Sequence, residues 1–190
     1  MILFLLFFPL KTQFYNAIYF LFDLIVTRGE ISEAFTFNYL GHLLGCLEIK
    51  ELNESLGFKS KIFNNLTNLF LFLLSTVSWF ILKRRISIEQ NFNYIDWVLF
   101  AMFCFSLVDC LEFLLGFFNN FSDYMINIQA QFIRIIKNFV ILILAVYLYF
   151  KVCNLSMKKQ ILFIVFPSSS ISFIIWFFYL GPMILPIVTK

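Results

Sequence analysis

The chain has 190 residues, 62% of them hydrophobic and 21% aromatic, with only 13% charged and a net charge of +3. A water-soluble domain averages about 45–50% apolar and about 25% charged residues, so this chain carries more apolar surface than a soluble core encloses, and lipid is the solvent it fits. Its positive charges sit in short clusters, which argues against a nucleic-acid-binding class. The four cysteines, Cys46, Cys104, Cys110 and Cys153, show no CxxC spacing, which argues against a metal centre or a disulfide framework.

The pattern predicts an all-α polytopic membrane protein with about five transmembrane helices and one amphipathic, interfacial segment. A hydrocarbon core about 30 Å thick takes roughly 20 residues of helix. The first candidate runs from Ile2 to Val26 and is interrupted by Lys11, Thr12 and Gln13. It lacks the basic stretch and the small-residue cleavage site of a signal peptide, and so reads as a retained first helix. Lys11 would fall near its middle, so either the helix begins near Phe14 or Lys11 faces protein or water.

The second to fifth candidates are Asn65 to Leu82, Tyr94 to Phe118, Phe132 to Val152 and Ile161 to Val188. The last contains Pro167, followed by Ser168, Ser169, Ser170 and Ser172. Proline removes a backbone bond and crowds the preceding turn, so a kink or break is expected there, with serine hydroxyls taking up freed carbonyls. Between the first two helices lies residues 27–64, nearly balanced in charge around a more apolar stretch from Phe35 to Leu47. That stretch is too short to span and reads as a surface or interfacial helix. No repeat divides the chain, so residues 1–190 read as a single transmembrane domain.

Lys83, Arg84 and Arg85 close the second helix, and Lys151, Lys158 and Lys159 follow the fourth. With alternating helices both basic loops, 83–93 and 151–160, share a side with the N-terminus, and the positive-inside rule makes that side cytoplasmic or its organellar equivalent.

Asp109 and Glu112 lie three apart in the apolar third helix, and Arg134 and Lys137 lie three apart in the fourth. Residues at that spacing share a helix face. A hairpin turning near Met125 would bring Glu112 opposite about position 138, level with Lys137. A lone charge in the bilayer costs about 3 kcal/mol or more, so pairing across the hairpin is the inexpensive arrangement. The four residues read as a static ion pair with a spare carboxylate or, in a second reading, as a proton relay or ion site. Asp96, beside Tyr94 and Trp97, reads as an interfacial anchor. His42 has no second ligand near it in sequence, and no histidine is placed to activate Ser168, Ser169 or Ser170. No catalytic, cofactor-binding or metal residue is expected.

Composition adds a different kind of information. Phe 29, Ile 24, Asn 13, Lys 10, Tyr 8 and Met 5 all have A/T-rich codons, against Gly 6, Ala 5, Arg 4 and Pro 4 with G/C-rich ones. Lipid is satisfied by Leu, Val or Ala as readily as by Phe, so the skew reads as mutational. Small residues that let membrane helices approach closely are scarce, and bulky aromatic packing takes their place. In composition the chain resembles the hydrophobic subunits of respiratory complexes and ATP synthase encoded in AT-rich organellar genomes. Length and helix number are similar to subunit 6 of the NADH:ubiquinone oxidoreductase family, but the glycine-bearing third helix is missing. Asp109 and Glu112 differ in spacing from the acidic helix of subunit 3. Asn38, Gly41 and His42 lack the arginine that precedes the corresponding residues in ATP synthase subunit a. The resemblance implies a subunit of a mitochondrial inner-membrane complex, complex I favoured over complex IV or ATP synthase, with other membrane subunits and lipids as partners and no cofactor of its own. The alternative expectation is a free-standing bacterial transporter or intramembrane enzyme that uses Asp109 and Glu112.

Overall fold

A computed structural model describes residues 1–30, 38–40, 58–86, 92–119 and 128–186. Its regular elements are all helical, with no strand among the described residues. In chain order they are α1 (Ile2–Leu5), α2 (Phe7–Val26), α3 (Phe58–Ile86), α4 (Tyr94–Asn119), α5 (Ile128–Tyr147), α6 (Leu155–Gln160), α7 (Phe166–Ile175) and α8 (Gly181–Ile184). Single π-helical turns occupy Leu148–Val152, Ile161–Val165 and Trp176–Leu180. Most of the 27–64 segment, with the amphipathic stretch, His42 and Cys46, lies outside the described residues.

Among the described residues, four stretches are long and apolar enough to cross a bilayer: Leu66–Ile86, Tyr94–Phe118, Ile135–Val152 and Leu155–Ile184. The third helix matches its expected bounds within one residue, and the others shift for identifiable reasons. Helix α3 runs through Lys83, Arg84 and Arg85 to Ile86, because these are good helix formers whose positive charge suits the carbonyl end of the helix dipole. The last stretch starts at Leu155, since the Asn154 Oδ1 accepts a hydrogen bond from the Met157 N–H at 2.9 Å. That N-cap draws Lys158 and Lys159 into helix α6 instead of leaving them in a loop.

The interruption in the first helix falls at Leu6 (φ −100°, ψ 10°), not at Lys11. Pro9 explains it. Its ring crowds the carbonyl of Leu5 and it has no N–H to give, but in the first turn of α2 that N–H would have no helical partner anyway. The helix therefore restarts at Phe7 with Pro9 in a tolerated position. Lys11 faces protein: it is buried, with its Nζ 5.1 Å from the centre of the Tyr15 ring one turn on.

The chain forms two compact units, residues 1–70 with 162–190, and residues 71–161. In the first, the buried residues of α2 include Phe8, Lys11, Thr12, Tyr15, Asn16 and Asp23. Their helical spacing makes a stripe that is buried although much of it is polar. In the second, α4 and α5 pack as a hairpin around Cys110, Phe113 and Ile141.

Candidate functional site: polar groups within the apolar helices

Four side chains of the second unit carry the charge pattern read in the sequence. The Cys110 thiol of α4 donates to the Asn138 carbonyl of α5 at 3.2 Å. That register sets Lys137 level with Leu111, between Asp109 and Glu112 in depth, about two residues from the expected pairing. Asp109 and Lys137 are half-buried and Glu112 is exposed, and the charges of Asp109 and Lys137 both bear on the Cys110 thiol. The Arg134 side chain lies outside the described residues, although its backbone belongs to α5.

A second polar cluster closes the end of α3 against the start of α4. The Arg85 Nε donates to the Asp96 Oδ1 at 2.5 Å. The Asn93 Oδ1 accepts from the Asp96 N–H at 3.1 Å, while the Asp96 Oδ2 accepts from the Asn93 N–H at 3.0 Å. This reciprocal pair is a capping box, which satisfies two backbone donors at the helix start. Asp96 is therefore a buried structural acid more than a solvated interfacial anchor. The signal was present as Asn93-x-x-Asp96, the N-cap spacing with an acid at the third helical position. Beside it, the Trp79 Nε1 donates to the Leu144 carbonyl at 3.0 Å. The Lys83 Nζ stands 5.2 Å from the Trp79 ring centre and 4.8 Å from that of Tyr147. These contacts put the basic end of α3 and the end of α5 at the same end of this unit.

In the first unit the sequence reading missed a polar clamp. The carbonyl of Asn38 accepts from the Asn16 Nδ2 at 2.8 Å, and the Asn38 Oδ1 accepts from the Leu40 N–H at 2.9 Å. The Tyr39 N–H donates to the Leu185 carbonyl at 3.1 Å, and the Tyr39 carbonyl accepts from the Trp176 Nε1 at 2.8 Å. An irregular segment between apolar helices must have its backbone groups satisfied, and these side chains do it. Gly181 makes the approach possible: a Cβ there would lie 2.6 Å from the Trp176 carbonyl oxygen and 2.7 Å from the Tyr39 Cβ. Asn38 and Gly181 had no periodicity to betray them, because the contacts that give them meaning, Asn16 with Asn38 and Tyr39 with Gly181, join different elements.

Pro167 stands at the start of α7, directly after the π turn Ile161–Val165. The backbone stays helical there, with Val165 at φ −66° and ψ −52°. Widening to a π turn accommodates a proline that cannot bond the carbonyl of Phe163. Pro182 repeats the arrangement after the π turn Trp176–Leu180. The Ser169 and Ser170 hydroxyls donate to the Val165 and Phe166 carbonyls, four residues back, at 2.5 and 2.9 Å. The Ser172 Oγ instead accepts from the Phe8 N–H at 3.2 Å, serving one of the orphan donors at the start of α2.

Among the described residues no three His, Cys, Asp or Glu side chains gather in a way that would hold a metal. Burial pushes the Cys153 thiol up to about 11 even with Lys158 pulling it down, so at neutral pH it is a thiol and not a nucleophilic thiolate. The helices define the class of the protein: an all-α, polytopic integral membrane protein. The chain matches no protein-family model, no curated protein and no solved structure.

Proposed function

We propose that this chain is a hydrophobic, organelle-encoded subunit of a respiratory-chain complex in the mitochondrial inner membrane, complex I favoured over complex IV or ATP synthase, with a structural or proton-pathway role. The observation that carries this reading is Glu112. It is exposed on the chain's own surface, six residues inside the end of the Tyr94–Phe118 span. An ionisable side chain on the chain's surface at that depth belongs to a face that meets protein or water more cheaply than hydrocarbon, and a neighbouring subunit supplies such a face. The A/T-rich codon skew supports the compartment, and the basic helix ends support a matrix-facing N-terminus.

The test is extraction of the native membrane in gentle detergent, followed by native electrophoresis and immunodetection of this chain. Co-migration with a band that stains for NADH dehydrogenase activity is expected; migration as a small monomer or dimer would overturn the proposal and favour the free-standing transporter. The proton-pathway role is read separately. If Glu112→Gln and Lys137→Gln are each defective in proton pumping and the double variant recovers, the pair is structural. If the double variant stays defective, protons use it.

A further inference from the structure

Independently of the subunit reading, the geometry points to a site for one ordered water inside the first unit, between the carboxamides of Gln13 and Asn16 on α2. Among the described residues, the Gln13 Nε2 and the Asn16 Oδ1 are buried side-chain atoms with no hydrogen-bond partner. Asn16 itself is 0% exposed. A buried amide donor and a buried amide acceptor are each costly to leave unpaired, so groups of this kind find a partner in protein or in ordered water.

Neither carboxamide cures this by turning over. The Asn16 Nδ2 donates to the Asn38 carbonyl at 2.8 Å and to the Gln13 Oε1 at 3.5 Å. Turning Asn16 would set its oxygen against the Asn38 carbonyl oxygen, and turning Gln13 would set two NH2 groups against each other. The two side chains stand three residues apart on one helix face, and their 3.5 Å contact is looser than the usual N–H···O distance. What the pair lacks is a group that accepts one hydrogen bond, from the Gln13 Nε2, and donates one, to the Asn16 Oδ1. Water does both through a single oxygen. The enclosure of Asn16 leaves out a ligand that carries a chain or a ring, whereas Gln13 is half-buried and its long side chain can shift to give a water its room. The water completes the polar clamp, because it holds the Asn16 carboxamide in the one orientation that lets Nδ2 reach Asn38.

The test is a structure of the full chain, alone or in any complex that retains it, by crystallography or electron cryomicroscopy at a resolution that shows single waters. A water peak within hydrogen-bonding distance of both the Gln13 Nε2 and the Asn16 Oδ1 is expected. In Gln13→Met, which keeps the side-chain length and leaves the Asn16–Asn38 bond in place, that peak should disappear while the Asn38–Leu40 segment stays where it is. Should this variant fail to fold, the map of the parent chain decides alone. A direct bond from the Gln13 Nε2 to the Asn16 Oδ1, a protein side chain filling the position, or an empty position in the parent map would each overturn the site. So would a water that persists unchanged at Asn16 in Gln13→Met.

Discussion

The two compact units solve the same problem, holding apolar helices together with few small residues, by different means. In the first, long-range side-chain hydrogen bonds reach backbone groups: Asn16 to Asn38, Trp176 to Tyr39, Ser172 to Phe8. The last two tie together segments from opposite ends of the sequence. In the second, the Trp79 Nε1 and the Cys110 thiol each reach one carbonyl of α5, and the charged contacts gather at the basic end of α3, as in the Asn93–Asp96 capping box, the Arg85–Asp96 pair and the placement of Lys83 over two rings. The difference teaches that scarcity of glycine leaves the few close approaches with outsized importance. Membrane helices lack a hydrophobic drive toward one another, so packing and polar contacts decide their association.

The strongest way to break the first arrangement is Gly181→Val. Any Cβ there meets the Trp176 carbonyl and the Tyr39 side chain well inside contact distance. Neither neighbour can retreat without giving up a hydrogen bond, so the loss should reach about 3 kcal/mol, at the upper end for overpacking. Unfolding by rising SDS fraction in mixed micelles, followed by circular dichroism, would measure it. A variant as stable as the parent would show that the Asn38–Leu40 segment does not need its close seat.

Next in size is Asp96→Ala, which removes the acceptor of the Asn93 N–H, one half of the capping box, and the charge partner of Arg85 together. A loss of about 2 kcal/mol is expected from a cap plus a charge-assisted hydrogen bond. Arg85→Gln keeps the capping box and should cost about half as much, because the Arg85 side chain is 29% exposed and water screens the pair. Equal losses in the same SDS titration would mean that the cap contributes nothing and that the second unit is held at this point by charge alone.

How much of this was legible beforehand follows from sequence distance. Hydropathy alone locates the helices, because a span of about 20 apolar residues has one meaning in lipid. The Cys110–Asn138 contact falls close to the expected hairpin register since a short connection between antiparallel helices leaves little freedom. Helix ends moved where a cap such as Asn154 or a dipole-matched cluster such as Lys83–Arg85 extended the helix. The clamp around Tyr39 was illegible: Asn16, Asn38, Trp176 and Gly181 are ordinary residues whose meaning comes only from meeting. At Asp96 two signals overlap: the aromatic neighbours Tyr94 and Trp97 point to an interfacial anchor, while the three-residue spacing from Asn93 carries the capping box.

The smallest expected effect lies in the middle of the second unit, where the hydroxyls of Ser75 on α3 and Ser106 on α4 are 2.6 Å apart. Hydrogen bonds of this kind between membrane helices average about 0.6 kcal/mol, far below their value in vacuum, because the separated helices find other partners. Here the alternative is visible. The Met102 carbonyl lies 3.3 Å from the Ser75 Oγ and four residues before Ser106, so after Ser75→Ala the remaining hydroxyl can turn back onto its own helix. Ser75→Ala should therefore cost about 0.6 kcal/mol in the SDS titration, and adding Ser106→Ala should cost almost nothing more, since the shared bond is already gone. A loss above about 2 kcal/mol in the single variant would mean that Ser106 is left without a partner. The Ser75–Ser106 bond would then stand beside the Trp79–Leu144 and Cys110–Asn138 bonds among those that hold the helices of this unit together.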